Sequence, residues 1–259
     1  MQLLSKVGTY QFLVEPFHCD FSHRIFIGHL GNHMLNAADF HSNDRGYGMN
    51  YLNPIHRTWV LSRLVIEMEH MPKAYETIEV STWVEGVMRF FTSRDFAIRT
   101  TDGEVCGYGR SIWAMIDTDT RQPVDILAVH DGLITEYIDE ETPCPIAPFS
   151  RVKTKATETP QCIIDTHYSD VDVNGHVNSV KYIEHILDLW PLSWYKTHRL
   201  TRLEIAYVAE THVGDRLGFV TKEVGNGTFD VITVKYTAPD AEAVEVCRSR
   251  LVFAENAEK

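Results

Sequence analysis

The sequence predicts an α+β chain built as one unit written twice, each unit a helix followed by antiparallel strands. Three observations predict it. An amphipathic segment opening with Gly-His occurs twice, as GHLGNHMLNAADFH from Gly28 and GHVNSVKYIEHILDLW from Gly175. An Arg-Leu-x-Ile motif follows each, at Arg63-Leu64-Val65-Ile66 and Arg202-Leu203-Glu204-Ile205. Each copy then runs on into four extended segments rich in β-branched and aromatic residues. From Gly28 to Gly175 is 147 positions and from Arg63 to Arg202 is 139, so the copies differ in loop length.

In chain order, the first helix spans about four turns from Gly28. Strands are predicted at 58–70, 76–86, 90–101 and 104–117, with Thr101-Asp102-Gly103 as a turn between the last two. A short helix is expected within 127–137. The segment IDEETPCPIAPFSRVKTK, from Ile138 to Lys155, carries three prolines and switches from acidic to basic, and reads as a linker. The second helix starts at Gly175, with Val177, Val180, Ile183, Ile186, Leu187 and Trp190 on one stripe. Strands follow at 199–211, 215–224, 228–237 and 243–254, separated by Gly225-Asn226-Gly227 and Ala238-Pro239-Asp240. The resulting division is a first repeat at 1–137, a linker at 138–160 and a second repeat at 161–259. Each helix exposes an apolar stripe that an antiparallel sheet must cover.

Composition narrows the function. The 259 residues are 44% hydrophobic and 23% charged, values of a globular chain. No apolar run is long enough to span a bilayer, and the first twenty residues lack a secretory apolar core, so a cytoplasmic protein is expected. The 36 acidic against 24 basic residues give a net charge of −12, which disfavours nucleic-acid binding. Five scattered cysteines (Cys19, Cys106, Cys144, Cys162 and Cys247) are expected as reduced thiols.

Several chemistries lose support for want of a motif. There is no G-x-S-x-G elbow, no Walker loop and no G-x-G-x-x-G; Gly46-Tyr47-Gly48 and Gly107-Tyr108-Gly109 stand alone. His29 and His33 lie four apart on a helix and would suit two metal positions, but no third ligand stands nearby in sequence. They read as helix histidines, and no metal or organic cofactor is expected.

The densest polar cluster is Ser169-Asp170-Val171-Asp172-Val173-Asn174-Gly175-His176-Val177-Asn178. Read as an extended stretch, it points Asp170, Asp172, Asn174 and His176 to one side, ahead of a helix N-terminus. Such a set would activate water or orient a carbonyl, with the backbone N–H groups of Gly175 and His176 receiving an oxyanion. Read blandly, Asp and Asn before a helix are caps and turn formers. The residues alone leave both readings open.

The segment SDVDVNGHVNSVKYIEHILD resembles the signature of acyl-(acyl carrier protein) thioesterases, of the plant plastid type and its bacterial relatives, which reads approximately D-x-D-x-N-x-H-V-N-N-V-K-Y-I. Trp59-Val60-x-x-Arg63, Thr82-Trp83-Val84, Ser93-Arg94-Asp95-Phe96 and Ser111-Ile112-Trp113 extend the resemblance through the first half. It implies a tandem (double) hotdog, two antiparallel sheets each wrapped around a long helix. It also implies hydrolysis of a fatty acyl thioester on acyl carrier protein, releasing free fatty acid, with Asp172, Asn174, His176 and Glu210 as catalytic residues. Glu210, His176 or the two as a pair would be the general base. The family's Tyr-Arg-Arg-Glu-Cys pattern falls on Tyr207-Val208-Ala209-Glu210-Thr211, so Thr211 stands at the cysteine position and a cysteine nucleophile there is lost. A 3-hydroxyacyl dehydratase or hydratase of the same fold, and a non-catalytic acyl-binding protein, are the alternatives.

Three further expectations follow from this reading. The acyl chain is assigned to the first repeat, with Met34, Leu35, Phe40, Trp59, Leu64, Ile66, Phe90 and Phe91 as candidate lining residues. Arg151, Lys153, Lys155, Lys181, Lys196, Arg199 and Arg202 form either a docking patch for the acidic carrier protein or a plain solvated face. No nucleic-acid or membrane partner is expected, and a homodimer is admitted as an assembly.

Overall fold

The computed structural model describes residues 3–155, 158–238 and 240–256. Pro239, in the third turn signal, and linker residues 156–157 lie outside the described residues. The chain divides into two compact units, Met1–Ala147 and Pro148–Lys259.

The first unit opens with β1 (Gly8–Leu13) and a 3-10 turn at Pro16–His18, then α1 (Ile27–Asp44) and the single turn α2 (Met49–Leu52). Four long strands follow: β2 (Arg57–Met68), β3 (Thr77–Val87), β4 (Phe91–Thr100) and β5 (Val105–Asp117). Their order in the sheet is β1-β3-β4-β5-β2, every neighbour antiparallel. The apolar stripe of α1, with Ile27, Leu30, Met34, Ala37 and Ala38 buried, lies against this sheet. Contact is close enough that a Cβ on Gly109 of β5 would stand 2.1 Å from Met34 Cε. The glycine lets helix and sheet approach, and a side chain there would overpack the core.

The second unit repeats the plan. β6 (Cys162–Asp165) and a 3-10 turn at Tyr168–Asp170 precede α3 (Ser179–Leu187) and α4 (Leu192–Thr197). Then come β7 (His198–Tyr207), β8 (Arg216–Gly225), β9 (Thr228–Tyr236) and β10 (Val244–Glu255), ordered β7-β10-β9-β8-β6. Val180, Tyr182, Ile183 and Ile186 form the buried face of α3. Each unit is thus a helix backed by a five-stranded antiparallel sheet, the hotdog plan occurring twice.

Four sequence readings change. The second helix begins at Ser179, not Gly175, because Gly175 sits at φ 80° and Asn178 caps the helix by accepting from the Val180 N–H (2.9 Å). It ends at Leu187, well short of Trp190. The short helix expected at 127–137 is two 3-10 segments, Ile126–Ala128 and His130–Tyr137, the latter kinked at Asp131 and Gly132. Finally, 138–160 is not a free linker. The Asp139 N–H donates to the Val84 carbonyl (2.8 Å), tying this part to the first unit. Beyond Ala147, Ser150 donates from both its N–H (2.6 Å) and hydroxyl (2.8 Å) to the Glu204 carboxylate of the second unit.

Candidate active site

Residues 171–177 do not form the extended run read from the sequence. They reverse direction in a tight turn closed by an antiparallel bridge between Val171 and Val177. The Asp172 carboxylate holds the turn, accepting from the backbone N–H groups of Asn174 (2.8 Å) and His176 (3.4 Å). The Asp172 N–H donates to the His176 carbonyl (2.9 Å), and the Gly175 N–H to the Asp172 carbonyl (3.0 Å). The oxyanion assignment is corrected accordingly: the Gly175 and His176 N–H groups are both committed inside the turn, and the helix N-terminus lies further on.

The turn is fastened at its far end. The Val177 N–H donates to the Thr211 carbonyl (2.8 Å), which brings the β7–β8 connection, and with it Glu210, alongside. His176 Nε2 lies 3.5 Å from Glu210 Oε2, both side chains partly open to solvent. His212, exposed and two residues past Glu210, sets its ring edge-on to His176 with centroids 4.8 Å apart. Lys235 Nζ donates to the Glu210 carbonyl (2.6 Å) and lies 3.6 Å from the Asp215 carboxylate, anchoring the same connection from β9. His212 and Lys235 were not singled out from the sequence. His212 was within reach, two positions after a suspected glutamate; Lys235 is brought in only by the pairing of β8 with β9.

Of the four residues expected, His176 and Glu210 therefore meet, while Asp172 serves the turn's backbone. Asn174 is exposed at the turn tip. Asp170 is buried beneath, accepting from the His167 N–H (2.7 Å) and bonded to His185 Nε2 (3.0 Å). Thr211, at the family's cysteine position, is fully buried. The cysteines are free, and burial pushes the thiols of Cys144 and Cys247 up to about 12 and that of Cys106 to about 11. Those values are the reverse of what a nucleophilic thiol requires.

The first unit carries the same turn with other residues. A bridge joins Cys19 and Ile25. The Asp20 carboxylate accepts from the N–H groups of Ser22 (2.7 Å) and Arg24 (3.4 Å), the Asp20 N–H donates to the Arg24 carbonyl (2.8 Å), and the His23 N–H to the Asp20 carbonyl (3.0 Å). The Ile25 N–H donates to the Pro72 carbonyl as that of Val177 does to Thr211. From Asp20 to Asp172 is 152 positions, so the register inferred from the two Gly-His pairs is corrected. The counterpart of His176 is Arg24, that of Asn174 is Ser22, and that of Glu210 is Met71, while His29 corresponds to Lys181. Arg24 turns its guanidinium to the Met71 carbonyl (2.6 Å), so the first unit lacks an imidazole–carboxylate pair here.

The first unit holds instead a cavity of about 200 Å³, walled by Tyr47, Met49, Trp59, Trp113 and Ile134, with the buried Arg94 among its polar lining. Of the residues expected to line it, only Trp59 does. Met34, Leu64 and Ile66 are fully buried core, and Phe40 and Phe91 are exposed. The basic residues also separate. Arg202 is buried against Glu204 (2.8 Å) and Lys181 is paired with Glu184 (2.6 Å). Arg151, Lys153 and Lys155 line an open groove together with Arg248.

A repeated hotdog unit with the His176–Glu210 pair beside the turn of the second unit points to the class of protein. Models of the acyl-ACP thioesterase N-terminal and C-terminal domains match residues 6–137 and 153–253, and the chain belongs to the acyl-ACP thioesterase family. An acyl-ACP thioesterase from Bacteroides thetaiotaomicron is 49% identical with a TM-score of 0.88, over 96% of this chain and 98% of that one. The 12:0-ACP thioesterase from Umbellularia californica shares the fold at 21% identity, with a TM-score of 0.84 over 99% of this chain and all of its own. Oleoyl-acyl carrier protein thioesterase 1 of Arabidopsis thaliana is 30% identical over 67% of this chain and 51% of its own length. The match to oleoyl-acyl carrier protein thioesterase 2 of the same plant covers 65% of that relative, so the chain spans half to two thirds of these plant proteins. Among the described residues no helix is long and apolar enough to cross a membrane.

Proposed function

We propose that the chain hydrolyses the thioester of a fatty acyl group carried on acyl carrier protein, releasing the free fatty acid and the carrier thiol. The observation that carries this reading is the 3.5 Å approach of His176 Nε2 to Glu210 Oε2 in a partly solvated position, within a member of this family. The pair removes a proton from water as its oxygen attacks the acyl carbonyl, then returns a proton to the leaving sulfur. A thioester is already activated, so positioned acid–base catalysis worth about 10²–10⁴-fold is a sufficient contribution. Asp172 fixes the backbone that presents His176, and the Asn174 amide at the turn tip orients the carbonyl or the water.

The cavity of the first unit receives the acyl chain in this reading, supported by its aromatic and methionine walls. The carrier protein docks through acidic groups to the groove of Arg151, Lys153, Lys155 and Arg248. The site lies in a protein of the cytoplasm. Thiol release from a panel of acyl-carrier substrates tests the reaction. Release by the wild-type chain and its collapse in His176→Ala are expected; a wild-type chain that binds acyl carriers without releasing thiol would overturn it.

A further inference from the structure

The sequence offers His29 and His33 for a metal without a third ligand, and the fold supplies a different set. The 3-10 turn before the Asp20 loop, capped by Glu15 and ending at His18, lies against the second turn of α1, which carries His33. A Glu15 carboxylate oxygen, His18 Nδ1 and His33 Nε2 all lie within 4.8 Å of one another. His18 Nδ1 is 3.0 Å from Glu15 Oε2, and His33 Nε2 is 3.9 Å from the same oxygen. We propose that Glu15, His18 and His33 form a binding site for a borderline transition-metal dication, with Zn²⁺ as its natural occupant and a solvent molecule in the fourth position.

His33 is more than nine-tenths buried, yet its Nε2 has no hydrogen-bond partner. A buried ring nitrogen without a partner is unfavourable in the metal-free protein. It is held on this heading by stacking on Phe12, with ring centroids 4.6 Å apart. Zn–N and Zn–O bonds of about 2.0–2.2 Å set tetrahedral ligand edges near 3.3–3.5 Å. Those edges fall between the two carboxylate–imidazole distances observed, and the third edge, from His18 Nδ1 to His33 Nε2, lies within 4.8 Å. Glu15 and His18 are each about two-fifths exposed, which leaves an entry path and room for a solvent ligand. His29 stacks flat on His18 (4.2 Å) and forms a wall of the site, not a ligand.

The second unit shows what a purely structural version of this cluster looks like. Its corresponding residues are His167, Asp170 and His185, with the carboxylate in the middle. There Asp170 accepts from the His167 N–H at 2.7 Å and bonds His185 Nε2 at 3.0 Å, so the helix histidine is satisfied by protein alone. In the first unit the middle residue is an imidazole and the helix histidine is left over. Both clusters hold two histidines and one carboxylate; what differs is that the second unit's helix histidine is hydrogen-bonded to its carboxylate, whereas His33 Nε2 in the first unit is not. Imidazole nitrogens select Zn²⁺ and its neighbours over Mg²⁺. Ion binding would pin the 3-10 turn to α1.

Titration of the untagged chain, after chelator treatment, with ZnCl₂ by calorimetry and with CoCl₂ by visible absorption tests the site. One ion per chain is expected, with the intense bands of four-coordinate Co²⁺, a thermal midpoint that rises with Zn²⁺ concentration, and no response to Mg²⁺. His33→Gln and Glu15→Gln should abolish these signals in chains whose metal-free unfolding remains a single cooperative transition. The double variant His176→Ala/His212→Ala should bind the ion as the wild type does. Absence of binding to the wild-type chain would overturn the proposal. So would binding that survives His33→Gln, or that disappears with His176 and His212, which would place the ion at the catalytic pair.

Discussion

Asp172 and Asp20 make the same turn in the two units, and only one of these turns presents the imidazole proposed for catalysis, so they form a matched pair for experiment. Replacing Asp172 by Ala removes two carboxylate–backbone bonds, at 2.8 and 3.4 Å. A hydrogen bond to a charged group is worth about 1.5–3 kcal/mol net, but the freed N–H groups belong to an exposed turn and regain water. Counting the shorter bond near the bottom of that range and the longer as a fraction gives a loss of about 1–2 kcal/mol. Asp20→Ala loses bonds of 2.7 and 3.4 Å to the same kind of turn and a further one from the Ser22 hydroxyl at 2.6 Å, so its stability cost should be at least as large. The consequence for turnover should differ. Without Asp172 the backbone carrying His176 is free to swing its ring away from Glu210, and a displacement of about 1 Å at a reacting group costs about 10²-fold. Urea unfolding and steady-state hydrolysis of an acyl-carrier substrate, measured on both variants and on Asp172→Asn, separate the two effects. The Asn variant keeps an acceptor oxygen and should retain much more kcat than the Ala variant. A stability loss with kcat near wild type in Asp172→Ala would refute the positioning role. Equal kcat losses in Asn and Ala would show that the charge, not the acceptor, is what matters.

His176→Ala and Glu210→Gln should each lower kcat by about 10²–10⁴-fold, and the double variant should be no worse than the weaker single one, since a pair acting in one proton transfer is lost as a unit; multiplying losses would separate them, and His29→Ala should leave kcat near wild type. Enlarging Ala38 or truncating Trp59 in the first-unit cavity should change the preferred acyl length on a substrate panel with the pH profile unmoved, and an unchanged preference would remove the cavity from the reaction. Reversing Arg151, Lys153 and Lys155 to Glu should raise KM for carrier-borne substrates in a salt-dependent way while sparing acyl-CoA; equal effects on both would remove the groove as a docking face. Burial, then the Arg94 and Arg45 guanidinium groups, push the pKa of His41 down to about 2. The unfolded chain therefore takes up a proton below about pH 6.5 that the folded one refuses, so this contribution to stability is complete above pH 6.5 and is lost on acidification, by about 2 kcal/mol at pH 5. His41→Gln should flatten that part of the urea midpoint against pH, and an unchanged slope would contradict it.

The strands that follow the helices were legible to within a few residues, because buried alternation and Gly-containing turns mark them directly. β1 and β6 were not read. GTYQFL and CIID are short and lie ahead of the Gly-His landmarks, so a repeat aligned on those landmarks starts too late to include them. The same landmarks misplaced the repeat. Gly28 lies inside α1, whereas Gly175 holds a left-handed position before α3; two identical dipeptides serve different local structures. The pairing of His176 with Glu210 was legible only through the family pattern, since 34 positions of helix and strand separate the two residues. The Glu15–His18–His33 cluster was not legible because two of its members, Glu15 and His18, come from the segment before the helix and only one of the two helix histidines takes part.

The duplicated turn separates what the backbone needs from what the chemistry needs. The backbone needs an acceptor at its first position, met by Asp20 and Asp172, and a residue at positive φ, met by His23 at 58° and Gly175 at 80°. Since His23 occupies that conformation in one unit and a Cβ on Gly175 would meet nothing within 4 Å, glycine in the other is favoured by φ alone and not by crowding. The chemistry needs what differs: Asn174 for Ser22, His176 for Arg24 and Glu210 for Met71. Those three positions stand on the same hydrogen-bonded frame in both units, so the frame is a scaffold that tolerates either set. Under the proposed mechanism, activity is confined to the second unit by the identity of a few side chains, while the fold around them is common to both.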